Sequence, residues 1–140
     1  IHLMEDMYRE IILDHARNQR NWGLLDPNDL DHEEKNPLCG DRLRLTLRVD
    51  EHNVITEVGW EGEGCAISQA SASMFGEQIM GMTLEQAREI NKQQLLDNIG
   101  LTLTINRVKC ALLALKVLVV GAYGQEGVEK WELIEDEEDD

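Results

Sequence analysis

Residues 43–49 constrain the fold most, because apolar and polar side chains alternate there without exception in the sequence Leu-Arg-Leu-Thr-Leu-Arg-Val. Successive side chains of a β-strand point to opposite faces, so this pattern predicts a strand with one buried face and one solvent-facing face. The Asp-Glu-His-Asn sequence at residues 50–53 predicts a turn, and residues 54–62 predict the return strand of an antiparallel hairpin. The apolar face of such a hairpin needs other elements of the chain to cover it.

Helical patterns on both sides of the hairpin supply that cover. A helix is predicted over residues 4–18, where Tyr8, Ile11, Ile12 and His15 recur at helical spacing. Residues 19–41, which contain both prolines, predict irregular or weakly extended chain. Further helices are predicted over 65–81, over 83–94 with Thr83 as N-cap, and over 105–122, which is apolar almost all round. This order predicts an α+β fold, a small antiparallel sheet with helices packed on one face.

The charge of the chain is strongly negative, with 13 Lys and Arg against 28 Asp and Glu and a formal net charge of −15. This disfavours binding to nucleic acid or to an anionic membrane, because both are held by clustered Lys and Arg. Residues 129–140 alone hold eight acidic side chains and one lysine. A length of 140 residues suits one domain. We therefore predict a single domain over residues 1–124 and an acidic, flexible tail over residues 125–140.

Several features bear on the compartment. The longest apolar stretch, residues 111–123, is interrupted by Lys116 and is shorter than the about 20 residues of a membrane-spanning helix. No secretory signal is visible, and we expect residues 1–3, which precede Met4, to be left over from an expression tag. Three cysteines are an odd number, which fits poorly with a closed set of disulfides. We therefore expect reduced thiols and a cytoplasmic location.

The three cysteines lie at the boundaries of predicted elements. Cys39 precedes the first strand of the hairpin, Cys65 lies between the second strand and a helix, and Cys110 lies near the start of the last helix. These boundaries can converge at one end of the sheet, and Asp41 can point into the same space. Three thiolates and one carboxylate form a four-ligand set that suits tetrahedral zinc or iron.

Neighbouring residues support such a site. Gly40 and Gly64 let the chain bend beside the ligands. Arg107 and Lys109 lie next to Cys110 in sequence, where they can offset the negative charge of the ligands and favour the thiolate. The spacing alone is weak evidence, because a lone cysteine such as Cys110 in an apolar helix is often a buried small hydrophobe.

Other side chains have plainer interpretations. His15 lies on the apolar face of the first helix and is interpreted as a histidine at the edge of the core. His32 lies in a predicted loop before Cys39 and is an alternative ligand. Trp60 is interpreted as sheet packing, with an exposed partner anchor as the alternative.

Three motifs in order resemble those of the SufU/IscU family of iron–sulfur cluster assembly proteins, which includes the NifU N-terminal type. They are Asn-Pro-Leu-Cys-Gly-Asp at 36–41, Gly-Glu-Gly-Cys-Ala-Ile-Ser-Gln-Ala-Ser at 62–71, and Arg-Val-Lys-Cys-Ala-Leu-Leu at 107–113. Residues 8–15, with Arg20, Asn21 and Gly23, look like the first helix and following loop of the same family. The resemblance covers about residues 7–124.

The resemblance implies a SufE/NifU-like α+β sandwich with Cys39, Asp41, Cys65 and Cys110 as ligands of zinc or a [2Fe–2S] cluster. It further implies sulfur delivery from a pyridoxal-phosphate cysteine desulfurase, with Cys39 as the persulfide acceptor, and apo iron–sulfur proteins as recipients. Such a protein is a scaffold or a sulfurtransferase-type partner of the desulfurase and not a stand-alone enzyme. The alternative is a structural zinc module that transfers no sulfur.

Two branches of the family remain open. Lys109 stands where IscU-type members carry His, and the Arg-x-Lys-Cys pattern looks like the SufU branch. Cys110 follows Cys65 by 45 residues, which is close to the IscU-type interval and lacks the insertion common in SufU. Gln19 replaces the usual Pro, and the Leu-Pro-Pro-x-x-Lys chaperone motif of the IscU type is absent.

Overall fold

The computed structural model describes residues 2–36, 40–100, 103 and 105–138. Three strands follow the first helix, and the remaining helices come after them. The elements in chain order are α1 (His2–Arg17), β1 (Leu30–Asn36), β2 (Asp41–Val49), β3 (Ile55–Glu63), α2 (Ala66–Ile79), α3 (Leu84–Arg88), α4 (Lys92–Ile99), α5 (Ile105–Ala111), α6 (Leu113–Tyr123) and α7 (Gln125–Glu138).

The strands form one antiparallel sheet in the order β1-β2-β3. The predicted hairpin is confirmed as β2 and β3, with Leu45 opposite Trp60 and Thr46 opposite Gly59. The α+β prediction is confirmed as well.

The two faces of the sheet differ as the alternation predicts, except at Thr46, which lies on the predicted solvent face but is fully buried and donates to the carbonyl of Gly59. Leu43, Leu45 and Leu47 are buried in the core with the helices. On the opposite face Arg42, Arg44 and Arg48 form ion pairs with acidic residues of the neighbouring strands. Trp60 is fully buried, and its indole N–H donates to the carbonyl of Arg20, so its interpretation as packing is confirmed.

The irregular or weakly extended chain predicted over residues 19–41 contains a regular strand, β1, which the sequence pattern did not predict. Its sequence, Leu-Asp-His-Glu-Glu-Lys-Asn, has no apolar alternation. The strand is held instead by its pairing with β2 and by cross-strand ion pairs, such as Arg44 to Asp31 at 2.6 Å. Cross-strand charge pairs of this kind stabilise a sheet without an apolar signal in one strand alone.

The single helix predicted over residues 83–94 is two helices, α3 and α4. The chain leaves the helical conformation at Asn91, which has φ −94° and ψ 165° and caps α4. Both helices begin with a capping box, from Thr83 with Gln86 and from Asn91 with Gln94. The predicted N-cap Thr83 is confirmed, while the second capping box, formed by Asn91 and Gln94, was not predicted.

The predicted last helix is also divided. Leu112, with φ −84° and ψ −3°, separates α5 from α6. α6 is buried over most of its length and packs on β1 and β2 as the central helix. Within the described residues, no helix combines the length and apolar character that crossing a membrane requires.

Residues 125–138 form α7 rather than an unstructured tail. Trp131 is only 5% exposed and belongs to the core, which an isolated acidic segment would not predict. α7 packs along α6, so one buried aromatic side chain and this contact fold a segment whose composition favours solvent. The domain division at residue 124 stays a prediction.

Candidate metal centre

The candidate centre lies at the end of the sheet where β1 and β3 finish and β2 begins. Asp41 is the first residue of β2, and Cys65 is the N-cap of α2, two residues after the end of β3. Cys110 comes from α5. Elements far apart in sequence therefore bring two sulfurs and one carboxylate together, as the sequence predicts.

The geometry of the three side chains suits a small metal ion. One carboxylate oxygen of Asp41 and the sulfurs of Cys65 and Cys110 all lie within 4.8 Å of one another. A tetrahedral zinc with Zn–S bonds of about 2.3 Å separates its sulfurs by about 3.8 Å. A small contraction therefore closes the group around zinc or iron, and the donor set fits such a metal.

The fourth predicted ligand, Cys39, lies outside the described residues, as do Pro37 and Leu38 of the same motif. Its role as ligand and as persulfide acceptor stays a prediction. Gly40, which follows it, has φ +70°, a left-handed conformation that glycine adopts at little cost.

Asp41 is held from two sides by Cys65. Its carboxylate is 1% exposed, and Oδ1 accepts the backbone N–H of Cys65 at 2.8 Å. Oδ2 accepts a longer hydrogen bond, at 3.8 Å, from the Cys65 thiol. The first bond satisfies a backbone donor at the start of α2, so Asp41 orients the chain around Cys65 besides offering an oxygen to a metal.

Gly64 makes this approach of Asp41 possible. Its φ is +137°, and a Cβ at this position would collide with Oδ1 of Asp41. The predicted supporting role of Gly64 thus has a steric basis, because only hydrogen fits between the chain and the carboxylate.

Cys110 is fully buried, and the side-chain amide of Asn36 donates to its sulfur at an N···S distance of 3.8 Å. The sulfur of Cys110 is disulfide-bonded in this structure, so a metal can use it only after reduction. The expectation of reduced thiols stays a prediction, and metal binding at this centre requires it. Cys65 is a free thiol.

Charged residues surround this end of the sheet. Arg107 is exposed and Lys109 half-buried on the helix that carries Cys110, and their effect on the ligands stays a prediction. Arg42, next to Asp41, pairs with Glu33 at 2.7 Å and with Glu63 at 3.3 Å, which ties the three strands together beside the site. The hydrogen bond from Arg42 also lowers the pKa of Glu33.

The two histidines considered in the sequence analysis, His15 and His32, lie outside the group formed by Asp41, Cys65 and Cys110. His15 is buried, and its Nδ1 lies 2.8 Å from Ser73 Oγ, which confirms a position at the edge of the core. Burial is the main cause that lowers its pKa. His32 lies on β1 and not in a loop, with Nε2 2.7 Å from Glu34, and it is not part of the group formed by Asp41, Cys65 and Cys110. The prediction of a loop is wrong there, because β1 was not recognised.

Asn36 is the site residue that the sequence analysis missed as a functional group. Its position directly before the Pro-Leu-Cys-Gly-Asp run was the available signal. That signal says nothing about Cys110, which is 74 residues away in the chain.

Known proteins share this chain's sequence pattern. A family model described as NifU-like N terminal domain matches residues 7–130. The zinc-dependent sulfurtransferase SufU of Bacillus subtilis is 36% identical over 141 residues, covering 89% of this chain and 95% of that protein. The iron–sulfur cluster assembly scaffold protein IscU of Thermotoga maritima is 38% identical over 128 residues, covering 80% of this chain and 89% of that protein.

Solved structures share its fold. A crystal structure from Fervidobacterium islandicum AW-1, assigned as SufU, superposes with a TM-score of 0.70 at 30% identity, covering 80% of this chain and 93% of that one. The N-terminal part of a NifU-like protein from Brucella abortus superposes with a TM-score of 0.65 at 23% identity, over 90% of this chain and 96% of that one.

Proposed function

Because the chain belongs to the NifU-like N-terminal domain family, we propose that it is an iron–sulfur cluster assembly protein that accepts sulfur from a pyridoxal-phosphate cysteine desulfurase. Cys39, Asp41, Cys65 and Cys110 together hold zinc or a nascent [2Fe–2S] cluster. The observation that carries the proposal is the convergence of Asp41, Cys65 and Cys110, from three different elements, within 4.8 Å.

The sulfur step is a thiol–persulfide exchange. The thiolate of Cys39 attacks the terminal sulfur of a persulfide on the desulfurase cysteine. A new S–S bond forms on Cys39, the S–S bond on the desulfurase breaks, and its cysteine leaves as a thiolate. When bound, zinc supplies positive charge that keeps its cysteine ligands deprotonated at neutral pH.

Asp41 gives the site one oxygen ligand among sulfurs. A carboxylate is a harder ligand than a thiolate and holds zinc or iron less tightly in such a set. The bound metal or cluster is therefore exchangeable, which suits a protein that passes its cargo to apo iron–sulfur proteins. Since the site works only with reduced sulfurs, we place the protein in the cytoplasm.

Desulfurase turnover tests the sulfur step. Cysteine-dependent sulfide or alanine production is measured with a SufS- or IscS-type desulfurase alone, with the reduced wild-type protein and with Cys39→Ala. We expect stimulation by the wild type, loss of stimulation in the variant, and mass spectra that show one added sulfur on the peptide containing Cys39. If the wild type and Cys39→Ala stimulated desulfurase turnover equally, Cys39 would not be the sulfur acceptor.

Metal content separates the two branches within this function. Zinc in the purified protein, together with sulfane sulfur transferable from Cys39, identifies a sulfur relay. An anaerobically reconstituted cluster that passes intact to an apo-ferredoxin identifies a scaffold. The chain is 36% identical to a SufU and 38% identical to an IscU, so sequence identity does not distinguish the two branches. The metal content therefore decides between sulfur relay and cluster scaffold.

Asp41→Ala should slow the release of a reconstituted cluster to an apo-acceptor, because the variant loses the hard ligand that keeps the site labile. Visible circular dichroism of the acceptor follows the transfer. Asp31→Ala is the matched control, since Asp31 pairs with Arg44 on the outer face of the sheet. Faster release from Asp41→Ala than from the wild type would contradict this role.

A further inference from the structure

Asn36 connects the first strand to a sulfur of the metal centre. It is the last residue of β1 and lies opposite Asp41 in the antiparallel pairing of β1 with β2. Its side chain is on the same side of the sheet as Asp41, and both residues are buried. From there its Nδ2 reaches the sulfur of Cys110 on α5, at 3.8 Å.

The chemistry of the contact fixes the direction of the hydrogen bond. An amide nitrogen has N–H groups to donate, whereas the amide oxygen carries lone pairs that a thiolate would repel. In the reduced protein, the ligand form of Cys110 is a buried thiolate, which needs donors because charge without hydrogen bonds is costly in the interior. The amide of Asn36 therefore suits the sulfur of Cys110 better with its nitrogen than with its oxygen.

We propose that Asn36 is a positioning residue of the metal centre, which donates an N–H···S hydrogen bond to the Cys110 ligand and thereby strengthens metal binding. The inference rests on the proposed function, since it needs Cys110 to be a ligand. Hydrogen bonds to ligating sulfurs withdraw electron density from them and offset the negative charge of a three-thiolate, one-carboxylate set.

The same contact makes β1 part of the centre. Cross-strand pairing places Asn36 beside Asp41, so one rung of the sheet holds both a ligand and the donor to another ligand. Ion pairs of Arg42 with Glu33 and Glu63 fix the adjacent rung. The edge strand that the sequence does not reveal therefore orients the amide toward Cys110.

Cobalt and zinc binding to the fully reduced protein tests the proposal. The variants are Asn36→Ala, which removes the amide, and Asn36→Asp, which keeps its shape and replaces the donor with a carboxylate. Asn98→Ala is the matched control, because this exposed asparagine bonds only to the side chain of Gln78 among the described contacts. Co²⁺ reports on the sulfurs through its sulfur-to-metal charge-transfer band, and Zn²⁺ affinity is measured by competition with a chelator.

Both Asn36 variants should bind Zn²⁺ about 10- to 100-fold more weakly than the wild type, as is typical for loss of a group that supports a ligand. Their Co²⁺ charge-transfer band should move to longer wavelength, because a sulfur without its N–H donor is the stronger electron donor. Asn98→Ala should reproduce the wild type in both measurements. Far-UV circular dichroism shows whether each variant is folded, and Asn36→Asp decides the question if Asn36→Ala unfolds.

The outcomes separate this inference from the proposed function. Wild-type band position and Zn²⁺ affinity in a folded Asn36 variant would overturn the role of Asn36 and leave the metal centre intact. A reduced wild-type protein that binds neither Co²⁺ nor Zn²⁺ would overturn both.

Discussion

Asp41 illustrates how one side chain serves both structure and chemistry at this centre. Its Oδ1 accepts the backbone N–H of Cys65, and its Oδ2 faces the thiol of the same residue. The carboxylate therefore positions one ligand while it offers an oxygen of its own. We therefore expect removal of this carboxylate to affect the orientation of Cys65 as well as the number of ligands.

Gly64→Ala should destabilise the fold and weaken metal binding together. The variant places a Cβ against Oδ1 of Asp41 and keeps φ at +137°, which a residue with a side chain rarely adopts. Backbone strain of this kind costs about 1 to 3 kcal/mol. Thermal melting and a Zn²⁺ competition titration measure the two effects.

Gly40→Ala is the control for Gly64→Ala. Its φ of +70° is also left-handed, but a Cβ there meets no atom within 4 Å among the described residues beyond its chain neighbours. We expect a loss of about 1 kcal/mol in stability and metal affinity much closer to that of the wild type. Equal losses of metal affinity in the two variants would show that the collision with Asp41 is unimportant.

His15 should make the protein less stable in mild acid. Its pKa is lowered below 6.5 mainly by burial and further by Arg20, while Glu77 and Asp14 act in the opposite direction. A histidine with a lowered pKa takes up its proton more readily when unfolded. Its contribution to stability is therefore present above pH 6.5 and is lost as the pH falls toward the folded-state pKa.

The variant His15→Gln tests this pH dependence. The free energy of unfolding from urea titrations is compared at about pH 7.5 and about pH 5.5, the interval in which histidine changes charge. The wild type should lose more stability than the variant across this interval. A variant with the same pH dependence would assign the effect to other groups.

At the scale of elements, the strength of each sequence pattern decided what was predicted well. The β2–β3 hairpin has strict alternation on β2, and pairing confirms it. β1 carries charges on both faces and becomes a strand only beside the arginines of β2. The division of α3 from α4 depends on one capping residue, Asn91, which the prediction of a single helix did not take into account.

Trp131→Ala should test whether α7 belongs to the folded unit. Trp131 is 5% exposed and lies in the core, and truncating a buried tryptophan costs about 3 to 5 kcal/mol. Chemical denaturation measures the loss. Leu133→Ala is the control, because Leu133 is 67% exposed and its truncation should change stability by less than about 0.5 kcal/mol. If Trp131→Ala and Leu133→Ala were equally stable, residues 125–138 would behave as the predicted flexible tail and not as part of the folded unit.

At the scale of the whole molecule, the core extends far beyond the metal centre. Buried side chains from the sheet, from α2 and from α6 form one cluster, with Leu47, Phe75 and Leu115 among its members. The cluster is held by burial of apolar surface and not by a metal. We therefore expect the protein to remain folded without zinc.

Removal of zinc by a chelator should lower the melting temperature and leave the far-UV circular dichroism at room temperature unchanged. A metal present at 100 times its Kd stabilises the folded state by about 2.7 kcal/mol. For a chain of this length we expect a fall of roughly 10 °C on removal. Loss of helical signal on chelation would favour the structural zinc module over the assembly protein.

The acidity of the chain is distributed differently from the prediction. Much of the acidic C-terminal run lies in α7, and the outer face of the sheet pairs acidic residues with Arg42, Arg44 and Arg48. The net charge of −15 therefore belongs to a folded surface as well as to the chain end.

The sequence by itself determined the hairpin, the α+β class, the central helix and three of the residues that approach one another, because alternation, apolar periodicity and the cysteine motifs are local patterns. Cys39 belongs to the same motifs and stays a prediction. Only the tertiary structure decided the edge strand β1, the helical α7 and the contact of Asn36 with Cys110. Each of these depends on residues that are distant in the sequence. β1 pairs with arginines of β2, α7 packs along α6, and the amide of Asn36 contacts a sulfur 74 residues away in the chain.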